Sequence, residues 1–193
     1  MLTNDKFHVC FDGVNDFHYY RMMQEWKRNS DLRFEFPHTH GLPEENPWET
    51  IKPGRAKSIR QDETFVVLIG ESTRYLHVVN LEITHALELH VPIIGVNLNG
   101  LRFQDRNRCP EILQDKLAVH ISFNALILQY ALETWPRYHA ELQQRGKSGP
   151  YYYNQSHYDK LGLGQTQHES RGRVGKPRNP ARAWFETAPT DGK

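Results

Sequence analysis

The sequence predicts an α/β protein with a doubly wound parallel sheet, and two observations lead to this prediction. Short apolar runs alternate along the 193 residues with longer segments of helical periodicity. Two of the runs, residues 65–69 and 92–96, are apolar throughout, which is typical of strands buried on both faces of a parallel sheet. Alternating strands and helices predict a parallel sheet with helices on both faces, and the length suits one ordinary domain.

The first half of the chain supplies three predicted strands. Residues 7–11 form a short apolar strand, and Asn15 or Asp16 can cap a helix that extends to about Arg28. Residues 32–36 alternate apolar and charged side chains, which indicates a strand open on one face. Residues 37–54 hold four prolines and two glycines, so we expect a long irregular loop, a feature that is usually functional. A short helix over residues 55–61 leads to the strand at 65–69.

The second half supplies two more strands and two long helices. Ser72 or Thr73 can cap a helix that extends to about His90. Its expected core face consists of Val79, Ile83, Ala86 and Leu87. Strands over residues 92–96 and 117–121 follow, and residues 124–144 form the last helix. For five such strands we predict the flavodoxin-like order 2-1-3-4-5, with a binding crevice between residues 11–13 and 70–72, where strands 1 and 3 diverge.

The composition changes at Gly146, which separates a predicted domain, residues 1–145, from a C-terminal extension, residues 146–193. The extension holds 7 of the 13 glycines and carries a net charge of +4, against −3 for the rest. Residues 151–153 and 158–163 can dock back on the body, whereas the composition beyond Gln165 favours disorder or a partner-dependent arm. We expect the chain from Gly146 onward to lie outside the sheet.

Composition also excludes several classes of function. The net charge of +1 is too small for bulk nucleic-acid binding. No apolar run reaches ~18 residues, so we expect no membrane span. Two cysteines make no disulfide framework, and the short polar start resembles no signal peptide. We therefore expect a cytoplasmic protein that binds neither nucleic acid nor membranes.

Motifs for common cofactors are missing from the sequence. It contains no P-loop, no Gly-x-Gly-x-x-Gly after the first strand and no Gly-x-Ser-x-Gly, so we predict no bound cofactor. A phosphoacceptor receiver needs a carboxylate ending the third strand and a lysine ending the fifth, and both are absent. His38 and His40 can bind zinc together with Cys10, but further ligands at the usual spacing are lacking. We predict no metal site.

Several stretches resemble the TIR-like domains of Thoeris antiphage defence. They are residues 7–12, 67–70, 79–83, 92–96, 151–153 and 158–163. The most specific part is Glu82, two residues after Asn80 and twelve after Gly70, although Val78 and Leu81 stand where some relatives carry tryptophan. The resemblance implies an NAD⁺ glycohydrolase or cyclase that releases an ADP-ribose-derived signal, such as a cyclic ADP-ribose. That diffusible nucleotide would activate a separate effector protein.

The resemblance also implies the site residues. The catalytic glutamate maps onto Glu82, and the first-strand aromatic and the following polar residue map onto Phe11 and Asp12. NAD⁺ would be the substrate rather than a cofactor. Nicotinamide leaves as a neutral base, so one carboxylate that stabilises the oxocarbenium-like ribose suffices. TIR-like pockets are often completed by a neighbouring subunit, so the resemblance further implies a homo-oligomer.

Other residues can assist this chemistry. Trp48 or Tyr75, like Phe11, can stack on nicotinamide or adenine. Ser72 and Thr73, near a predicted helix N-terminus, can bind the pyrophosphate, although helix capping explains them equally well.

Two alternatives stay open at this point. In the first, the protein is a non-enzymatic interaction module, and Glu82 is a solvated surface residue, since the helical pattern places it one position off the core face. In the second, the protein resembles nucleoside deoxyribosyltransferases, which also direct a glutamate at a ribosyl carbon.

Overall fold

The structure is a computed structural model that describes residues 7–29, residue 59 and residues 64–164. In chain order the strands are β1 (Phe7–Cys10), β2 (Thr64–Ile69), β3 (Ile93–Asn97), β4 (Ala118–Ser122) and β5 (Pro150–Tyr152). The helices are α1 (Phe17–Asn29), α2 (His77–Glu88), α3 (Ala125–Gln144) and α4 (Gln155–Lys160), and a 3₁₀ turn spans Thr73–Tyr75. Strands alternate with helices as predicted, except that β4 follows β3 with no helix between them.

The five strands form one parallel sheet in the order β1-β2-β3-β4-β5. At its centre, Val67 of β2 lies beside Cys10 of β1 and Gly95 of β3. All six residues of β2 and all five of β3 are buried, as their continuous apolar sequences predicted. The prediction of an α/β fold with a five-stranded parallel sheet is confirmed.

The fifth strand of the described sheet is not the one that we predicted. The predicted second strand, residues 32–36, lies outside the described residues. The predicted neighbours 1-3-4-5 are observed as β1-β2-β3-β4, and β5 pairs with β4 at the far edge. The expectation that the chain from Gly146 onward lies outside the sheet is therefore wrong. The reason is packing, because Tyr151 of β5 is buried with its ring centroid 5.8 Å from that of Trp135 in α3.

Helices cover both faces of the sheet. α1 and α3 pack on one face, around buried side chains that include Tyr20, Met23 and Trp135. α2 packs on the other face through Val79, Ile83 and Ala86. Successive strand residues point to opposite faces, so in β1 Val9 lies in the α1–α3 core and Cys10 in the α2 core.

The chain from β5 to Leu163 docks on the body, as predicted for residues 151–153 and 158–163. The Arg102 guanidinium lies 4.0 Å from the centroid of the Tyr158 ring. It also donates hydrogen bonds to Gln155 Oε1 at 2.8 Å and to the Leu163 carbonyl at 2.7 Å. One arginine therefore attaches α4 and the residues after it to the loop that follows β3.

None of the described helices combines the length and the apolar character needed to cross a bilayer.

Candidate active site

The predicted crevice lies at the carboxyl ends of β1 and β2. Asp12 follows β1, and its Oδ2 accepts hydrogen bonds from Ser72 Oγ at 2.6 Å and from Asn15 Nδ2 at 2.7 Å. Its Oδ1 accepts from the backbone amides of Val14 at 2.9 Å and Asn15 at 3.1 Å. Because Ser72 follows β2, these bonds join the two loops that we expected to flank the crevice.

A second hydroxyl–carboxylate contact lies beside the first. Thr73 Oγ1 accepts from the Gly70 amide at 2.8 Å and lies 3.2 Å from Asp16 Oδ2, to which it donates. Gly70 is required for this approach, since a Cβ there would lie 2.2 Å from Asp16 Oδ2. The two loops are therefore held together through buried side chains.

Ser72 and Thr73 do not cap α2, contrary to our expectation. The helix begins at His77, and its N-cap, Leu76, makes no side-chain capping bond. The reason is that both hydroxyls bond to carboxylates of the opposite loop, while residues 73–75 form a separate 3₁₀ turn. The N-terminus of α2 therefore begins several residues after the predicted pyrophosphate ligands.

The two aspartates at this edge differ in acidity. Burial raises the pKa of Asp12, but the hydrogen bonds from Ser72, Asn15 and the Val14 amide outweigh burial and lower it below the usual value. Burial and the neighbouring Asp12 charge raise the pKa of Asp16. Asp12 is therefore the more acidic member of the pair.

Glu82 is buried, on the side of α2 that faces the sheet. Only 4% of the residue is exposed, and its Oε2 lies 3.0 Å from Nε2 of His8 in β1. The His8 ring in turn stacks on Phe65 of β2, with centroids 5.6 Å apart and planes at 7°. The expectation that Glu82 lies off the core face is wrong, because a polar partner on β1 accommodates the carboxylate. Leu87, which we placed on the core face, is only half-buried.

The structure brings some predicted site residues together and separates others. Asp12, Ser72 and Thr73 form the edge cluster. Glu82 reaches β1 at His8, four residues before Asp12, which corresponds to about 13 Å of extended chain.

Of the three predicted stacking residues, the two in the described part of the chain do not join them. Phe11 lies in the α1–α3 core, 4.7 Å from the Tyr20 ring, on the sheet face opposite Glu82. Tyr75 is 75% exposed, beneath the Arg74 guanidinium at 5.1 Å. Trp48 lies outside the described residues.

Sequence reasoning missed His8 as a partner of Glu82. The signal that could have found it is a histidine between Phe7 and Val9 in an otherwise apolar strand. A buried imidazole needs a hydrogen-bond partner, and strand alternation turns His8 away from the Phe7 and Val9 side.

The described residues offer little for metal binding or thiol chemistry. Within residues 7–29, 59 and 64–164, no three or more His, Cys, Asp or Glu side chains form a metal-binding group. His38 and His40 lie outside these ranges. Burial raises the pKa of the Cys109 thiol to about 12, so it supplies no thiolate at neutral pH.

Comparison with known families identifies the domain. Residues 8–102 match the family model of the Thoeris protein ThsB, TIR-like domain. The match runs from β1 to the loop after β3 and contains the edge cluster, His8 and Glu82. No curated protein matches the chain. The resemblance found in the sequence is thereby confirmed: residues 8–102 match the TIR-like domain of the Thoeris protein ThsB.

Proposed function

We propose that this protein cleaves NAD⁺ at the nicotinamide–ribose bond, with Glu82 as the catalytic carboxylate. The observation that carries the proposal is a buried glutamate in the α2 helix of a Thoeris TIR-like domain, held by a histidine of β1. A buried carboxylate without such a role is rare, because removing a carboxylate from water costs free energy, whereas burying a leucine does not.

The chemistry needs only one carboxylate. In NAD⁺ the nicotinamide nitrogen that is bonded to the ribose carries a positive charge. When this bond breaks, the nitrogen keeps the electron pair, so nicotinamide leaves as a neutral molecule and needs no general acid. Positive charge then develops on the ribose, and a fixed carboxylate stabilises that charge more strongly in a site that excludes water. Water, or a nucleophile of the substrate itself, completes the reaction and gives linear or cyclic ADP-ribose.

The edge cluster is better suited to joining the two loops than to binding a pyrophosphate. Asp12 stays ionised and repels phosphate, and each of its two oxygens already accepts two hydrogen bonds. The Ser72 and Thr73 hydroxyls already donate to Asp12 and Asp16, which leaves them poor donors to a pyrophosphate. We assign Asp12, Ser72 and Thr73 to holding the two loops of the crevice in place.

The remaining predicted site residues are aromatic, and we assign them to stacking on the bases of NAD⁺. Tyr75 is exposed and has one ring face beneath Arg74, so its other face can receive a base. Trp48 is the second proposed stacking residue, and Phe11 contributes through the core.

The nucleotide product is proposed to activate a separate effector protein, as in a two-component defence system. We further propose that the enzyme works in the cytoplasm as a homo-oligomer, in which a neighbouring subunit completes the NAD⁺ pocket. The match to the Thoeris family model supports this arrangement, as does the position of Phe11, which in the described part of the chain lies on the sheet face opposite Glu82.

The proposal is tested by incubating the purified protein with NAD⁺ and measuring nicotinamide by chromatography and mass spectrometry. The assay is run over a range of protein concentrations and with extract of phage-infected cells as the trigger. We expect nicotinamide and an ADP-ribose-derived product in equal amounts. No release under any condition would favour the interaction module, and base release from deoxynucleosides alone would favour a deoxyribosyltransferase-like enzyme.

A further inference from the structure

The contact between His8 and Glu82 joins residues 74 positions apart in the chain. His8 lies within β1 and Glu82 in the middle of α2, and their side chains are 10% and 5% exposed. The Nε2–Oε2 distance of 3.0 Å is that of a hydrogen bond. Whether His8 is neutral or charged, its Nε2–H can donate to the carboxylate.

Packing alone does not account for a histidine at this position. The stacking of His8 on Phe65 could be supplied by any aromatic ring, and Phe7 and Val9 beside it are apolar. What the imidazole adds is a donor directed at Glu82. A buried histidine without such a bond would destabilise the fold, and the hydrogen bond from Nε2 to Glu82 avoids that cost.

The bond engages only one of the two oxygens of Glu82. Oε2 meets His8, whereas Oε1 accepts no hydrogen bond from any residue in the described part of the chain. Oε1 is also not among the fully buried polar atoms that lack a partner there, and the side chain keeps 5% exposure. Oε1 is thus the atom through which the carboxylate can meet a ligand.

We propose that His8 is a positioning residue, which fixes Glu82 through Oε2 so that Oε1 faces the ribose of the substrate. This inference rests on the proposed NAD⁺ cleavage. A glutamate side chain has three rotatable torsions, and a displacement of about 1 Å at the reacting group can cost about 100-fold in rate. Fixing one oxygen removes that freedom before substrate binds.

Three variants test the proposal. His8→Phe keeps a planar ring against Phe65 but removes the donor, and we expect kcat to fall by about 10- to 100-fold with KM changed less than about threefold. His8→Gln places an amide nitrogen near the position of Nε2, so it should restore at least about a third of the wild-type kcat. His139→Phe is the matched control, because His139 is also buried but lies on α3, and its kcat should stay within about twofold of wild type.

A double variant distinguishes a positioning role of His8 from a general loss of activity. If His8 acts through Glu82, then His8→Phe should lower the residual rate of Glu82→Gln by less than about twofold, instead of a further 10- to 100-fold. Should His8→Phe fail to fold, the pair His8→Gln and His8→Asn replaces it, since only the longer amide reaches Glu82.

The outcomes distinguish the two proposals. If Glu82→Gln is inactive and His8→Phe keeps the wild-type kcat, NAD⁺ cleavage stands and the positioning role is overturned. The role is equally overturned if His8→Phe and His8→Gln lose the same activity in proportion to their loss of thermal stability. If Glu82→Gln keeps full activity, the proposed catalytic role of Glu82 fails and the role of His8 fails with it.

Discussion

Gly70, at the carboxyl end of β2, lies directly against the carboxylate of Asp16. A Cβ at Gly70 would sit 2.2 Å from Asp16 Oδ2 and 2.7 Å from its Cγ. We therefore expect Gly70→Ala to lower the free energy of unfolding by about 1–3 kcal/mol, more than the backbone entropy that alanine recovers. Chemical denaturation of the wild type and the variant measures this.

The same substitution in an Asp16→Ala background is the control. Asp16→Ala removes the three atoms nearest to the added methyl group, so Gly70→Ala should cost at least about 1 kcal/mol less there. Equal costs in both backgrounds would show that Asp16 is not what excludes a side chain at Gly70.

Single residues also show what the sequence could and could not predict about the site. Asp12 and Ser72 were predicted to flank one crevice, because residues at the carboxyl ends of adjacent parallel strands meet at the same edge. The burial of Glu82 could not be predicted from helical periodicity. Its partner, His8, comes from a strand 74 positions away, and a local pattern does not contain that contact.

At the scale of elements, Arg102 links α4 to the loop that follows β3. Replacing it by methionine keeps much of the apolar stem but removes the cation over Tyr158 and both hydrogen bonds. We expect Arg102→Met to lower the free energy of unfolding by about 1–3 kcal/mol. Amide hydrogen exchange should also accelerate over residues 155–163, which a proteolysis and mass-spectrometry experiment resolves.

Arg106→Met provides a comparison from the same loop. The Arg106 guanidinium contacts Asp115 at 2.6 Å, but both side chains are more than half exposed. Such a surface ion pair contributes at most about 1 kcal/mol. If the amides of residues 155–163 exchange equally slowly in Arg102→Met and Arg106→Met, Arg102 does not attach that segment.

The elements themselves were predictable to different degrees. β2 and β3 are continuous apolar runs between turn residues, and α3 follows the N-cap Asn124, whose side chain accepts from the Leu126 amide at 2.9 Å. β5 was missed because three residues in a glycine-rich segment carry no periodicity. Only the fit of Tyr151 against Trp135 explains its place in the sheet.

At the scale of the whole molecule, two buried histidines make the stability depend on pH. Burial lowers the pKa of His120 to about 4, and burial together with His90 lowers that of His139 to about 4. Both are neutral in the folded protein, whereas the unfolded chain takes up protons below about pH 6.5. Their contribution to stability is thus complete above pH 6.5 and is lost as the pH falls towards 4.

His120→Phe should make the melting temperature less sensitive to pH. The loss of stability between pH 7 and pH 5 should shrink by about 1–2 kcal/mol, because phenylalanine binds no proton in either state. The raised pKa of Asp16 changes stability with pH in the opposite direction, but Asp16 is present in both proteins and its effect cancels in the comparison. His77→Gln, at an exposed position, is the control and should leave the pH dependence as in the wild type. Identical pH profiles for His120→Phe and the wild type would contradict the assignment.

The most direct test of the account compares two glutamates of the same helix. Glu82 is buried against His8, whereas the Glu88 side chain is 69% exposed and lies 3.7 Å from His85. Glu82→Gln keeps the size of the side chain, and its amide oxygen can still accept from His8, so the cost in stability should be about 1 kcal/mol. Glu88→Gln should not change the melting temperature measurably.

The deciding measurement is nicotinamide release from NAD⁺ by both variants, with thermal melting of each. We expect Glu82→Gln to lose about 100- to 1,000-fold in rate while it stays folded at the assay temperature, and Glu88→Gln to keep the wild-type rate. Wild-type turnover by Glu82→Gln would contradict the account, because the carboxylate would then have no part in the chemistry.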